Sequence, residues 1–287
     1  MIITFIIILP LCYGFINNWF PVVPISSTDF SNPKQIRILG KDLVLWKKDD
    51  EYVIQNDVCP HRCAPLSEGY IDKETNNLRC AYHGWEFNEK GVCKDIPQMK
   101  KEDKTVEKKQ WFSNCLTTYK THCYGDLLWV YTGNKKINCY PEDIYNLDDS
   151  PIFMRDLPYG LYILLENFFD PAHIPFAHHK LQGNKERAKP IKIKLLSNLN
   201  DTNRFSVLFN ETDDNIIERI GIMNFTMPCH YTLESKMVNS KMNIINGINI
   251  FAVPIQKDKT RLFVQYNFNK ENLNYKLYNS IPIWMRH

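Results

Sequence analysis

Four side chains in two short loops carry the strongest chemical signal in this sequence. Cys59 and His61 lie in Cys59-Pro60-His61-Arg62, and Cys80 and His83 lie in Cys80-Ala81-Tyr82-His83-Gly84-Trp85. Each loop offers one thiolate and one imidazole, with eighteen residues between His61 and Cys80. Two Cys and two His are soft-to-borderline ligands, so the first expectation is a metal centre. Zinc accepts Cys₂His₂ tetrahedrally, but its usual spacing pairs Cys with Cys and His with His. A mixed pair in each loop suits a [2Fe–2S] cluster in which two Cys hold one iron and two His hold the other. Each loop then hands its Cys to one iron and its His to the neighbour. Zinc, or Cys and His packed without a metal, is the alternative.

A second constellation lies in Asp170-Pro171-Ala172-His173-Ile174-Pro175-Phe176-Ala177-His178. Two His and a carboxylate on one face, with open positions, form the ligand set of non-haem Fe(II) oxygenases. On an unbroken helix, five residues at about 100° each would set His173 and His178 roughly 140° apart. Pro175 resolves this, because a proline inside a helix breaks or kinks it. Asp170 followed by Pro171 fits an N-cap with Pro at the first helical position. His173 on a first short turn and His178 beyond the break can then face one metal. The plainer alternative is a Pro-rich turn carrying satisfied core histidines.

The elements around these residues read as two domains, which suits a chain of 287 residues with 44% hydrophobic content. A net charge of +3 leaves no large nucleic-acid footprint. Nine Cys is an odd count whose spacings do not form a secreted disulfide scaffold. The seven outside the quartet (Cys12, Cys63, Cys93, Cys115, Cys123, Cys139 and Cys229) are expected as small buried hydrophobes. No second Cys in the Cys80–Phe87 loop offers Cys63 a disulfide partner. Met1–Gly14 is apolar, too short to span a bilayer comfortably, and resembles a signal-peptide core without its basic region. Its Gly-Phe junction is also similar to the leaders of complex algal plastids.

From Trp19 to Tyr131 the pattern predicts strands and turns. A hairpin is expected around Gly40-Lys41, a strand over Tyr52–Gln55, short strands flanking the second ligand loop, and a hairpin around Tyr124-Gly125-Asp126. Lys100–Lys109 reads as a solvated loop and Asn138–Pro158 as a connection. Lys180–Lys189 reads as another loop. Strands then follow over Ile191–Leu196, Arg204–Asn210, Ile216–Ile222, Asn224–Met227, His230–Val238, Met242–Val253 and Thr260–Phe268, in one antiparallel sheet. A helix is expected to begin at Asn269.

Cys59-Pro60-His61-Arg62, Pro65-Leu66-Ser67-Glu68-Gly69, Cys80-Ala81-Tyr82-His83-Gly84-Trp85 and Ile96-Pro97-Gln98 together resemble the Rieske domain of Rieske non-haem iron oxygenases. The spacer is about one residue longer than expected there, which the Asp72–Asn77 turn can absorb. Asn167-x-x-Asp170-Pro171-x-His173-x-x-x-x-His178 resembles the mononuclear-iron motif of that family. With Asn18-Trp19-Phe20-Pro21-Val22 these phrases look like the pheophorbide a oxygenase-like branch, and the resemblance runs from about Asn17 to the end.

The resemblance implies an α+β chain. A leader (1–16) precedes an all-β Rieske [2Fe–2S] domain (17–135) and a helix-grip, START-like catalytic domain with an antiparallel sheet (136–287). It implies His173 and His178 as Fe(II) ligands. Asp170 would be no ligand; it would hydrogen-bond a ligand His and relay an electron arriving from His61 or His83. The branch places its third iron ligand, a carboxylate, just past a Pro-x-Trp-x-x-His phrase. Pro282-Ile283-Trp284-Met285-Arg286-His287 matches that phrase at the end of the sequence. The expectation is therefore a truncated catalytic domain; Asp258 and Glu271 match no ligand motif. The relatives' C-terminal membrane helices and Cys-x-x-Cys tail are not in the sequence.

The function implied is oxygenation of a hydrophobic substrate, of chlorophyll type, with O₂ and electrons from a ferredoxin or ferredoxin reductase-type donor. It would take place in a head-to-tail homotrimer, in a plastid, in association with a membrane. The alternatives are an import-associated or redox-sensing Rieske protein without turnover, and an oxygenase of a sterol-like substrate.

Overall fold

A computed structural model of the chain describes residues 17–99, 116–147, 150–181, 183–197, 203–213, 216–238 and 245–268. The expectations for the leader, for residues 100–109, for a helix from Asn269 and for the Pro282–His287 phrase fall outside these. The described residues form two compact units. One is 17–147 with 254–257; the other is 148–253 with the residues from 258 onward. Among the described residues no helix is long and apolar enough to cross a membrane.

The first unit is all-β. Its strands are β1 (Trp19–Pro24), β2 (Lys34–Ile38), β3 (Lys41–Lys48), β4 (Glu51–Asn56), β5 (Tyr70–Ile71), β6 (Leu78–Arg79), β7 (Glu86–Phe87), β8 (Cys93–Asp95), β9 (Thr118–Tyr124) and β10 (Leu127–Tyr131). They make a six-stranded sheet, β1-β10-β9-β4-β3-β2, and a small sheet, β5-β6-β7-β8. Val44, Trp46, Leu66, Leu78 and Phe87 share one buried cluster with Cys59 and Cys80, so the ligand loops grow out of the core. The β2–β3 loop is Leu39-Gly40, one residue earlier than expected, with φ of 51° and 76° and Ile38 opposite Lys41. A two-residue hairpin loop of this twist needs positive φ at both positions, so the glycine takes the second place. The Asp72–Asn77 turn forms as expected: Asp72 N–H donates to Asn77 O at 2.9 Å, and Asp72 Oδ1 accepts from Glu74 and Thr75 N–H.

The unit extends past residue 135 because the following segment folds back onto it. Trp19 Nε1–H donates to Cys139 O at 3.0 Å, helix α1 (Pro141–Ile144) follows, and Tyr145 stacks on Trp129 with centroids 5.3 Å apart.

The second unit lays helix α2 (Leu161–Phe168), a 3₁₀ turn (Pro171–His173) and helix α3 (Ile174–Ala177) beside a seven-stranded sheet. The strands are β11 (Ile152–Leu157), β12 (Ile191–Ser197), β13 (Arg204–Asp213), β14 (Ile216–Thr226), β15 (His230–Met237), β16 (Ile245–Gln256) and β17 (Lys259–Phe268), in the order β11-β17-β16-β15-β14-β13-β12. Leu161, Leu164 and Leu165 of α2 bury against Phe205, Phe209 and Phe225, so the chain is α+β.

Two expectations are corrected here. The connection after Asn138 contains β11, an edge strand held to β17 by the bidentate Asp156–Arg261 pair (2.7 and 3.1 Å). The strands expected at Ile216–Ile222 and Asn224–Met227 are one strand, β14. The cysteines also differ from expectation. Cys93 and Cys229 are buried, but Cys63, Cys123 and Cys139 are exposed, because each lies on a loop or on the outer face of its strand. Cys12 and Cys115 fall outside the described residues.

Candidate metal centres

The two ligand loops share one backbone design. In the first, Cys59 N–H donates to Ala64 O (2.8 Å) and Cys63 N–H donates to Cys59 O (2.9 Å). In the second, Cys80 N–H donates to Trp85 O (2.9 Å) and Gly84 N–H donates to Cys80 O (3.0 Å). The residue four past each cysteine is left-handed, with φ 55° at Cys63 and 72° at Gly84. Within this common frame the histidine sits at the second position after Cys59 but at the third after Cys80. The outcome is convergent: the His61 and His83 rings lie 4.7 Å apart with their planes at 70°.

Both thiols are inside and both imidazoles are outside. Cys59 and Cys80 are each 2% exposed, whereas His61 is exposed and His83 half-buried. Trp85 stacks on His61 at 4.9 Å and 8°, and Tyr82 lies 4.0 Å from His83. Burial is the main reason that the Cys59 thiol is pushed up to about 11, with the Cys80 thiol adding to it against the opposing backbone N–H of His61. Metal must therefore displace a proton there. Partial desolvation, then the charges of His83 and Arg62, hold His61 below its ordinary value, which favours the neutral, ligating imidazole. Two buried thiols beside two outward imidazoles suit a two-iron cluster.

The loops are braced by groups that spacing alone does not reveal. Buried Asp57 accepts from Ser67 N–H (2.7 Å) and Oγ–H (2.6 Å). Arg79, just before Cys80, contacts Asp72 (2.8 Å), buried Glu86 (2.5 Å) and Asp95 (3.4 Å), and donates to Gly84 O (3.2 Å). Gln98 Nε2 donates to His83 O at 3.1 Å. A Cβ on Gly84 would meet Pro97 Cγ at 3.0 Å, so the Ile96-Pro97-Gln98 segment closes over the second loop.

The second constellation is local. Asp170 caps the 3₁₀ turn, its Oδ1 accepting from Ala172 N–H at 3.0 Å with Pro171 first in the turn. Pro175 does not interrupt a helix; it lies in the first turn of α3, and the break falls between His173 and Ile174. His178 ends α3, its N–H donating to Ile174 O at 3.1 Å. The His173 and His178 rings stand 5.2 Å apart at 60°. His173 Nδ1 is hydrogen-bonded to the backbone carbonyl of Asp170, while the Asp170 carboxylate is 3.9 Å away. The tautomer is thus set by the main chain, because the carboxylate is engaged in capping. That leaves Nε2 as the atom available to a metal, 3.4 Å from Asn167 Nδ2. His179 turns away, its Nδ1 accepting from Lys185 N–H at 3.2 Å.

The pair opens into a cavity of about 230 Å³ whose walls include Phe168, Met223, Tyr231, Leu233, Ile248 and Val264. Arg219 of β14 also lines it. Neither Arg219 nor Tyr231 was singled out from sequence, although one basic residue in the apolar run Ile216–Met223 was a readable signal.

The Rieske [2Fe–2S] domain family matches residues 18–139. The chain is similar to the pheophorbide a oxygenase, chloroplastic, of Oryza sativa subsp. japonica, at 33% identity over 94% of this chain and 53% of that protein. It is also similar to Protein TIC 55, chloroplastic, of Pisum sativum, at 26% identity over 96% of this chain and 49% of that protein. A crystal structure of dicamba monooxygenase bound to dicamba shares the fold, with a TM-score of 0.70 and 16% identity, covering 94% of this chain and 82% of that one. The chain spans about half the length of the curated relatives it matches.

Proposed function

Because the chain belongs to the Rieske non-haem iron oxygenase family, with pheophorbide a oxygenase among its relatives, we propose that it is a plastid oxygenase. It takes electrons from a ferredoxin-type donor and uses O₂ to oxygenate an apolar substrate of chlorophyll type. The observation that carries this reading is the presence in one chain of two donor sets. One is a Cys₂His₂ quartet with its imidazoles outward; the other is a facing His pair at an apolar cavity.

Cys59 and Cys80 would hold the inner iron, and His61 and His83 the outer one. His173 and His178 would hold Fe(II). When bound, the cluster supplies single electrons and the Fe(II) supplies open positions for O₂. The remaining work falls to the chain's own side chains. Asp170 O fixes the His173 tautomer. The Asp170 carboxylate, about half exposed, would relay an electron arriving from a His of a neighbouring subunit, as a head-to-tail trimer would allow. Met223, Ile248 and Val264 exclude water and favour a greasy ring. At about 230 Å³ the cavity is smaller than the roughly 300–1,000 Å³ of ordinary ligand pockets, so it would take in one edge of a tetrapyrrole.

A second reading, a redox-sensing or import-associated protein without turnover, is favoured by the likeness to Protein TIC 55. One sample separates the readings: electron paramagnetic resonance on the dithionite-reduced, iron-reconstituted chain, with total iron counted. A signal of low average g with about three irons per chain, and oxygen uptake on adding pheophorbide a, is expected. The signal with about two irons and no uptake would establish the second reading. Zinc with no signal would sink both.

A further inference from the structure

We propose that Arg219 is an anion-recognition residue of the cavity, so that the substrate is an apolar molecule bearing a carboxylate that seats on this guanidinium. The proposal rests on the cavity being the substrate site.

Arg219 is half-buried on β14 and lines the same cavity as His173 and His178. Among the described residues its side chain makes one hydrogen bond, from Nη2 to Ser235 Oγ at 3.0 Å. Its guanidinium lies 5.5 Å over the Phe209 ring. Gly221, opposite Phe209 in the sheet, makes room for that ring: a Cβ there would fall 2.4 Å from Phe209 Cε1. The guanidinium is thus stacked and positioned, with most of its five N–H donors uncommitted.

Two other half-buried arginines show what a structural pairing looks like in this chain. Arg261 is bidentate on Asp156, at 2.7 and 3.1 Å, and Arg79 reaches three carboxylates. Arg219 has neither arrangement. Glu211 is opposite it in register and supports its charge, yet burial outweighs that support and the pKa is lowered. No hydrogen bond or ion pair joins the two among the described residues. A half-desolvated cation without a bonded anion gains from one that arrives. A planar fork in an apolar wall is the feature that recognises a carboxylate bidentately.

The test is equilibrium binding of pheophorbide a and its methyl ester to the iron-loaded chain, and to its Arg219→Met, Arg219→Lys and Glu211→Gln variants. Folding of each is checked by circular dichroism and thermal melting of the sheet that carries Arg219. The wild type should favour the free acid by about tenfold or more, as befits a charge-assisted hydrogen bond. Arg219→Met should lose that preference and bind the ester normally. Arg219→Lys should keep part of it, and Glu211→Gln should strengthen it by removing a competing carboxylate. Equal binding of acid and ester by the wild type, or an undiminished preference in Arg219→Met, overturns the proposal. If Arg219→Met does not fold, an unchanged preference in both other variants overturns it. If neither tetrapyrrole binds the wild type, the chlorophyll-type reading fails while this one is decided separately. In that case 1-naphthoate and its methyl ester are compared on the same variants with the same criteria.

Discussion

The two candidate centres are built on opposite plans. The quartet is assembled from distant residues: a loop between β4 and β5, a loop in the β6–β7 hairpin, a third segment closing over the second loop, and an ion network around Arg79. Its thiols belong to the hydrophobic core. The His173–His178 pair is assembled within nine consecutive residues by a capped turn and a short helix, and opens into a cavity. A cluster site of the first kind would be part of folding, since its two thiols are core residues. A site of the second kind can be filled or emptied with little effect on the sheet behind it.

The sharpest way to break that contrast is Cys80→Ser. It should abolish the cluster's absorbance and resonance signal completely and make residues 59–98 sensitive to protease, while the His pair still takes iron. A soluble variant with a resistant first unit would show that the cluster is not part of its folding. A smaller effect is expected from His178→Ala: about one iron of three lost, oxygen uptake gone, and the cluster signal unchanged. Loss of the signal together with the iron would mean that the two centres are not independent.

The smallest effect is a response to acid. His230 is buried, stacked on Phe251 at 4.5 Å and 3.3 Å from Asn249. Burial lowers its pKa from 6.5 to about 4, against the opposing hydrogen bond with Asn249. Above the ordinary value neither state is protonated. As the pH falls, the unfolded chain binds a proton that the folded unit refuses, so stability is lost between about 6.5 and 4 and levels off below. The loss should reach about 2 kcal/mol by pH 5. It would be read by hydrogen exchange over β15 and β16 at pH 7 and 5, and should be absent in His230→Gln. Equal protection at both pH values in the wild type would contradict it.

Much of this was legible in the sequence, for identifiable reasons. The Cys and His spacings, the Asp170-Pro171 cap and the alternating strands of the second sheet all reflect rules that act within a few residues. What was not legible depended on partners far along the chain. β11 was hidden because Met154, Arg155 and Asp156 read as a polar connection until Arg261 supplies the bidentate partner. β14 was read as two strands parted at Met223, whereas Met223 pairs with Val207 of β13 and Leu233 of β15. The hydrogen bond expected between the Asp170 carboxylate and a neighbouring His met a local competitor, the Ala172 N–H, that takes the carboxylate first.

The common frame of the two ligand loops has a further consequence, for how such a centre can change over generations. Each loop closes through main-chain hydrogen bonds between its cysteine and the residues four and five places on. The positions between are free of those bonds, and the chain already uses two of them, one in each loop, to present a histidine. The scaffold is therefore indifferent to which donor occupies them, while cluster potential depends strongly on whether that donor is imidazole or thiolate. Redox poise in such a protein can drift by single substitutions without renegotiating the fold. A lineage could retune its electron entry port while every strand stays where it is.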